Sequence, residues 1–348
     1  MQEFIKLLKT LISTPSISRE EEQAALVIRE FLQTKEINYR SKRNNTWCLN
    51  RNYDPAKPTI LLNSHIDTVK PVPGWKIDPF TPVEEGDKIT GLGSNDAGGS
   101  VVALLALFNH YYDRQDLPFN LVYAATAEEE VSGENGVVSI LGDLPPFHFA
   151  LVGEPTSMEL AIAEKGLMVL DGTAKGKAGH AAREGGENAL YRALDDIERL
   201  RNFRFEKEST LLGPVKMTVT QIKAGTQHNV IPDSCHFVVD VRTNEYYRNE
   251  EAFQIISGLV DSEVTARSFR LNSSGIPADH PFALKASTLG IPLTGSPTTS
   301  DQAVIPCPSV KIGPGNSNRS HTAHEFILKN EILDGIQTYI KLFEDLYL

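Results

Sequence analysis

Cysteine is scarce in this chain. Cys48, Cys235 and Cys307 are the only three among 348 residues. They are far apart, form no Cys-x-x-Cys pair and cannot all pair with one another. That excludes a disulfide framework and a zinc ribbon, and it fits a reducing compartment. No apolar run is long enough to cross a bilayer. The opening residues, Met1 to Lys9, look amphipathic and have neither an unbroken apolar core nor a small-residue cleavage site, so a cytoplasmic chain is expected. Positive charge is in deficit: the formal net charge is −11. This argues against nucleic acid and anionic membrane surfaces as partners. No Gly-x-Ser-x-Gly elbow is present. Gly91-x-Gly93 lacks the last glycine of a dinucleotide fingerprint. Gly172 to Lys177 is one residue short of a phosphate loop, and Ala178 replaces its hydroxyl. Internal repeats, low-complexity tracts and long linkers are absent too.

What is present is an ordinary globular composition. The length exceeds what one hydrophobic core usually organises, so two domains are expected. Residues 1–37 read as two helices around Pro15, with Ser18 and Glu21 spaced as a capping box for the second. Apolar runs at 59–62, 120–126 and 149–153 read as buried strands. Helices are expected at 97–112 and around 137–141. Strands alternating with helices point to an α/β sheet. From Lys165 the pattern changes to period-two alternation at 168–176, 215–222 and 235–242, with helices at 188–201 and 250–260 and a strand at 263–269. Strand-helix-strand-strand-helix-strand is the ferredoxin-like α+β layout. The expected organisation is therefore an α/β mixed-sheet hydrolase domain at 1–164 and 273–348, with an α+β domain inserted at 165–272. Helices at 283–289 and 330–346 belong to the resumed first domain.

The buried strands share one feature: each ends in residues able to bind a metal. The first runs into His65 and Asp67, which lie two apart and so face the same side. The second is followed by Glu128, Glu129 and Glu130. The third ends at Glu154. A glycine-rich turn, with Gly91, Gly93, Gly98 and Gly99, carries Asp96 into a helix. Open α/β sheets place ligands beyond their strand ends. The candidate ligands are His65, Asp96, Glu129 or Glu130, Glu154, and His321 or His324. Few imidazoles among several carboxylates suit Zn²⁺, Co²⁺ or Mn²⁺ better than a thiolate-seeking metal. Two metals need a bridging carboxylate, and Asp96 stands between the others in the chain.

These stretches resemble the co-catalytic di-zinc family of acetylornithine deacetylases, succinyl-diaminopimelate desuccinylases, aminoacylases and glutamate carboxypeptidases. The likeness rests on Ser64-His65-Ile66-Asp67-Thr68-Val69, Gly91-Leu92-Gly93-Ser94-Asn95-Asp96, Ala127-Glu128-Glu129-Glu130, Gly153-Glu154-Pro155-Thr156, Gly176-Lys177-Ala178-Gly179-His180-Ala181-Ala182 and Ser320-His321-Thr322-Ala323-His324-Glu325-Phe326. It covers essentially the whole chain.

The resemblance implies a set of roles. His65, Asp96 and Glu154 would hold one metal, and Asp96, Glu130 and His321 the other, with zinc expected and cobalt as a substitute. A bridging water would attack, with Glu129 as general base and then acid. Asp67 would fix the tautomer of His65. His321 is preferred over His324 because it precedes Glu325 by four positions, as the family's histidine precedes a glutamate. A cis peptide is expected at Asp96–Ala97. His180, contributed from the inserted domain of a partner subunit, would stabilise the oxyanion, so a homodimer through that domain is expected. Asn229 and Arg242 would hold a substrate carboxylate, with Gly313 as a further substrate-binding candidate and His228 as a residue able to line the site. The implied reaction is hydrolysis of the amide of an N-acyl amino acid. The specific reading is N-acetyl- or N-succinyl-ornithine deacylation in arginine biosynthesis. The alternatives are succinyl-diaminopimelate desuccinylase, a small peptidase or a carboxypeptidase.

Overall fold

The computed structural model describes residues 2–347. The chain folds into two compact units. The first comprises Met1–Ile162, Gly275–Thr294 and Ser300–Leu348, and the second Ala163–Ser274 and Gly295–Thr299.

The first unit is built on a mixed sheet. Six of its nine strands lie in the order Tyr39–Lys42, Asn45–Leu49, Asn120–Thr126, Thr59–His65, Phe149–Val152 and Ser309–Lys311. The last four run parallel to one another, and the first two are antiparallel to their neighbours. Alternation assigns each side chain to a face. Ile60 and Leu62 join the core that holds Leu121, Tyr123, Phe149 and Leu151. Leu61 joins the opposite core, with Val122, Ala124, Ala150 and Val152. Both faces are covered, which is why these strands read as unbroken apolar runs. The helix Gly99–Tyr111 is buried on nearly every side and packs against Gln2–Ile12 and Lys329–Phe343. Phe108 on it is fully buried, so truncation to alanine would cost roughly 3–5 kcal/mol.

Register positions the site. His65 pairs with Thr126, and Asn63 with Val152. The parallel strands Asn120–Thr126, Thr59–His65 and Phe149–Val152 therefore end together, and the residues just past each end collect at one edge of the sheet.

The structure departs from the sequence pattern in two places in this unit. Ser18 is not a helix cap: its Oγ donates to Asp67 Oδ2 at 2.7 Å. The second helix runs Glu22–Thr34, and its N-cap Glu21 makes no side-chain cap bond. Instead Glu21 accepts from the amide of Arg19, from Asn44 Nδ2 at 2.8 Å and from the amide of Glu128 at 3.3 Å. Tertiary partners take the groups that a capping box would have used. The helix expected around 137–141 is only a short turn, Val137–Ser139.

The second unit is a four-stranded antiparallel sheet, in the order Lys216–Ala224, Ser234–Arg242, Met168–Lys175 and Glu263–Ala266. With the helices Ala189–Asn202 and Asn249–Ser257 this is the ferredoxin-like strand order. Leu170, Phe237, Val239, Val241, Ala193 and Ile256 form its core. Asn188 caps the first helix through the amide of Leu190 at 2.9 Å. A small pair, Gly179–His180 with Val230–Ile231, lies outside the sheet.

Candidate metal centre

His65 is the hub of the sheet edge. Its side chain is 1% exposed. Nε2 lies 3.2 Å from Asp96 Oδ1, 3.7 Å from Glu154 Oε1 and 4.0 Å from Glu129 Oε2. Nδ1 faces the other way, 3.0 Å from the Asp67 carbonyl and 3.4 Å from its Oδ1. Burial alone would lower the pKa of this imidazole. The bonds to Asp67 and Asp96 and the charges of Glu129 and Glu154 outweigh it and hold His65 well above its ordinary value.

The turn bearing Asp96 is fixed from behind. Glu325, 2% exposed, accepts the amides of Gly93 at 3.1 Å, Asn95 at 2.8 Å and Asp96 at 2.9 Å. Burial pushes Glu325 up to about 7, against the pull of those amides. The Asp96–Ala97 peptide is cis, as expected. Burial would raise Asp96, but its bond to His65 keeps it below the carboxylate range.

His321 stands across from His65. Its Nε2 lies 3.0 and 3.1 Å from the two oxygens of Glu130 and 3.7 Å from Asp96 Oδ2. The Glu130 bond raises it to about 9. His324 is elsewhere: its Nε2 accepts the amide of Lys76 at 3.1 Å and its ring packs on Trp75. The three successive acids also separate. Glu128 accepts from the amide and the side-chain nitrogen of Asn135 at 3.2 and 2.9 Å, which leaves Glu129 and Glu130 at the histidines. Burial drives Glu129 well above the carboxylate range, with Glu154, Asp301 and Glu130 adding to it and His65 opposing. Glu154 rises to about 8 for the same leading reason.

The donor set fits divalent metals. One atom each from His65, Asp96 and Glu130 falls within a 4.8 Å group, and so does one each from His65, Glu129 and Glu154. Glu154 Oε1 is buried without a hydrogen-bond partner. A buried carboxylate oxygen left without a hydrogen bond is costly unless a cation takes it. Asp96 is within reach of both histidines, the position a bridging ligand needs.

Three residues of the edge carry no functional signal in the sequence. Glu325 stands out only as a spacing marker for His321, and Ser18 only as a helix cap. Asp301, in what reads as a plain loop, accepts from Asn63 Nδ2 at 2.8 Å and Thr126 Oγ1 at 3.1 Å. Burial raises it to about 6. A buried carboxylate whose partners lie far along the chain gives no periodic or motif signal in a single sequence.

Gly313 is buried. Its amide donates to Thr156 Oγ1 at 3.1 Å, and its carbonyl accepts from the amides of Thr156 and Met158 at 3.2 and 3.0 Å. A Cβ there would collide with Ser100 Oγ and the Glu154 carbonyl. Its place in the structure is thus one of packing behind Glu154.

His180, Asn229 and Arg242 belong to the second unit. His180 pairs with Val230, and the amide of Ala181 donates to the Asn229 carbonyl at 2.9 Å, which brings His180 and Asn229 together on an exposed corner. His228 is exposed in the same loop. Arg242 lies on the central strand Ser234–Arg242 with its guanidinium on Asp240. Lys165, unremarked in the sequence, is buried and donates to the Pro214 carbonyl at 2.6 Å. Burial lowers its pKa, helped by Lys216 and Arg242.

Comparison with known proteins adds to this picture. The family model described as peptidase family M20/M25/M40 matches residues 61–345. A probable carboxypeptidase of Emericella nidulans is 26% identical over 97% of this chain and 88% of that protein. A LysW-lysine/LysW-ornithine hydrolase of Sulfurisphaera tokodaii is 26% identical over 99% of this chain and 95% of that protein. Among solved structures, an M20 family metallo-carboxypeptidase from Sulfolobus solfataricus superposes with a TM-score of 0.77 at 16% identity, covering 99% of both chains.

Proposed function

The chain belongs to the peptidase family M20/M25/M40 and is a metal-dependent amidohydrolase, and from that premise we propose that it deacylates an N-acyl amino acid bearing a free carboxylate. The narrower reading is N-acetyl- or N-succinyl-ornithine deacylation in arginine biosynthesis. It is supported by the likeness to a protein named for LysW-ornithine hydrolysis. The observation that carries the reaction class is the cluster of carboxylates around His65 and His321, among them the buried Glu154 oxygen that makes no hydrogen bond. A carboxypeptidase or desuccinylase is the second reading, favoured by the names of other relatives.

His65, Asp96 and Glu154 would hold one metal and Asp96, Glu130 and His321 the other. When bound, two such metals supply Lewis acidity at the scissile carbonyl and make water more acidic. The remaining chemistry falls to the chain. Glu129 takes the proton from the attacking water and returns it to the departing amine. Burial suits it to both steps, because a base must have a pKa near the working pH to be an acid afterwards. Asp67 holds the Nδ1 side of His65 and so leaves Nε2, among the carboxylates, as the atom that would bind a metal. Arg242 and Asn229 bind the substrate carboxylate, and His180 donates to the developing oxyanion.

Two copies pair through the second unit, so that His180 serves the partner's site. Support comes from the strand Lys216–Ala224, which ends the sheet order with Ile222 exposed, and from Tyr191 and Leu194 exposed on the helix Ala189–Asn202. Exposed strand edges and apolar patches mark association sites.

The deciding experiment measures amine release from N-acetyl-ornithine, N-succinyl-ornithine, N-succinyl-diaminopimelate and dipeptides, with zinc or cobalt added. Turnover of an acyl-ornithine above the others is the expected result. Turnover of dipeptides alone would replace it with the peptidase reading. Full activity in chelator-treated protein would overturn the mechanism. Full activity in a monomer, by light scattering, would remove the role of His180.

A further inference from the structure

Arg242 is forked onto a carboxylate of its own strand. Its Nε donates to Asp240 Oδ1 at 2.8 Å and its Nη2 to Oδ2 at 3.0 Å. The two residues lie two apart on Ser234–Arg242 and so project from one face of the sheet. Val239 and Val241 point the other way, into the core. The Asp240 and Arg242 side chains remain 30% and 28% exposed. Solvent screens such a pair, so it adds little to folding. What it fixes is the orientation of the guanidinium.

A guanidinium has five N–H donors in a rigid fork. Asp240 takes two, along the Nε–Nη2 edge. Nη1 makes only a long bond of 3.4 Å, to Thr299 Oγ1. The donors left over are those suited to a second carboxylate. Charge also matters here. Lys216 is the direct cross-strand partner of Arg242, and like charges placed opposite repel. Without Asp240, the guanidinium would be free to swing away from that lysine.

We propose that Asp240 is a positioning residue for substrate-carboxylate recognition: it grips one edge of Arg242 so that the other edge is presented in a fixed orientation. This rests on the reading that Arg242 binds the substrate carboxylate. Asp240 itself touches no substrate.

The test uses the full-length, metal-loaded enzyme and two probes, N-acetyl-L-ornithine and its α-carboxamide, or a dipeptide and its C-terminal amide if the screen selects dipeptides. Asp240→Ala raises KM for the free acid roughly 10-fold, the range for losing hydrogen bonds to a charged group, and leaves kcat within about threefold. Kinetics on the carboxamide stay at the wild-type level, which a general loss of fold would not allow. Asp240→Asn, which keeps one acceptor on the fork, is intermediate. Asp240→Ala/Arg242→Ala is no worse than Arg242→Ala alone, because the two act as one unit. If Arg242→Ala raises KM for the acid but Asp240→Ala does not, or if Asp240→Ala weakens acid and amide alike, the positioning role is wrong while the reading of Arg242 stands. If Arg242→Ala leaves KM for the acid unchanged, that reading falls and this inference falls with it.

Discussion

The carboxylate of Asp67 accepts the backbone amide of Glu129 at 3.0 Å. Its second oxygen accepts the amide of Glu130 at 3.1 Å and the hydroxyl of Ser18 at 2.7 Å. The same group lies beside His65 Nδ1. One buried carboxylate therefore ties the end of the first strand to the loop after the second. It orients the proposed base and a proposed ligand as well as the histidine. Asp67→Asn keeps the size but replaces one acceptor oxygen with an N–H donor that faces other donors. The expected loss is about 10–100-fold in kcat/KM together with weaker metal binding. Steady-state kinetics and metal analysis check this, and wild-type metal affinity in the variant would confine Asp67 to a lesser role.

Glu129 and Glu130 differ by one position and sit beside different histidines, 4.0 Å from His65 and 3.0 Å from His321. Distance does not by itself distinguish base from ligand, since Glu129 also falls in a ligand-sized group. Chemistry does. Glu129→Gln should lower kcat about 10²–10⁴-fold, the worth of a general base, while metal content stays at about two per chain. Glu130→Gln should lose metal. If the glutamine at 129 instead sheds metal, the two roles exchange.

How much of this is legible in the sequence follows from where the information lies. The strands at 59–65, 120–126 and 149–152 are readable because burial on both faces leaves an unbroken apolar run. His65, Asp96 and Glu154 are readable because each directly follows such a run or a glycine-rich turn. Short strands such as Ser309–Lys311 and Phe326–Leu328 are not: three residues carry no period, and pairing partners far along the chain define them. Ser18 illustrates the same limit. Its spacing to Glu21 satisfies a local rule, and a carboxylate 49 residues away takes its hydroxyl instead. Glu325 and Asp301 act through backbone amides and neutral side chains that only folding brings near.

His321 is half-exposed, whereas His65 is sealed in the sheet edge. Removing them should therefore have different consequences. His321→Ala should cut metal content from about two to about one per chain while leaving the fold intact. His65→Ala should lower both metal binding and stability, because it leaves Asp67 and Asp96 without their buried partner. Wild-type protein given zinc at about 100 times its Kd should gain about 2.7 kcal/mol, which for a chain of this size is a rise in Tm of roughly 4 °C. Thermal melts and elemental analysis on the three proteins check these outcomes. An unchanged Tm on adding zinc or cobalt would speak against a preformed site.

Gly313 offers a sharper separation of structure from substrate contact. Its backbone amide and carbonyl are bonded to the 156–158 turn, and a methyl group at its Cα would meet Ser100 Oγ and the Glu154 carbonyl. Neither neighbour can yield cheaply. One carbonyl belongs to the peptide that carries a proposed ligand, and Ser100 is fully buried on the helix Gly99–Tyr111. Overpacking of this kind typically costs about 1–3 kcal/mol. Gly313→Ala should therefore lower Tm and weaken metal binding, through displacement of Glu154. If Gly313 contacts substrate, the variant would instead raise KM with Tm and metal affinity unchanged. Melting, metal titration and a KM series on one protein decide between the two, and the engagement of both backbone groups makes the first the expected result.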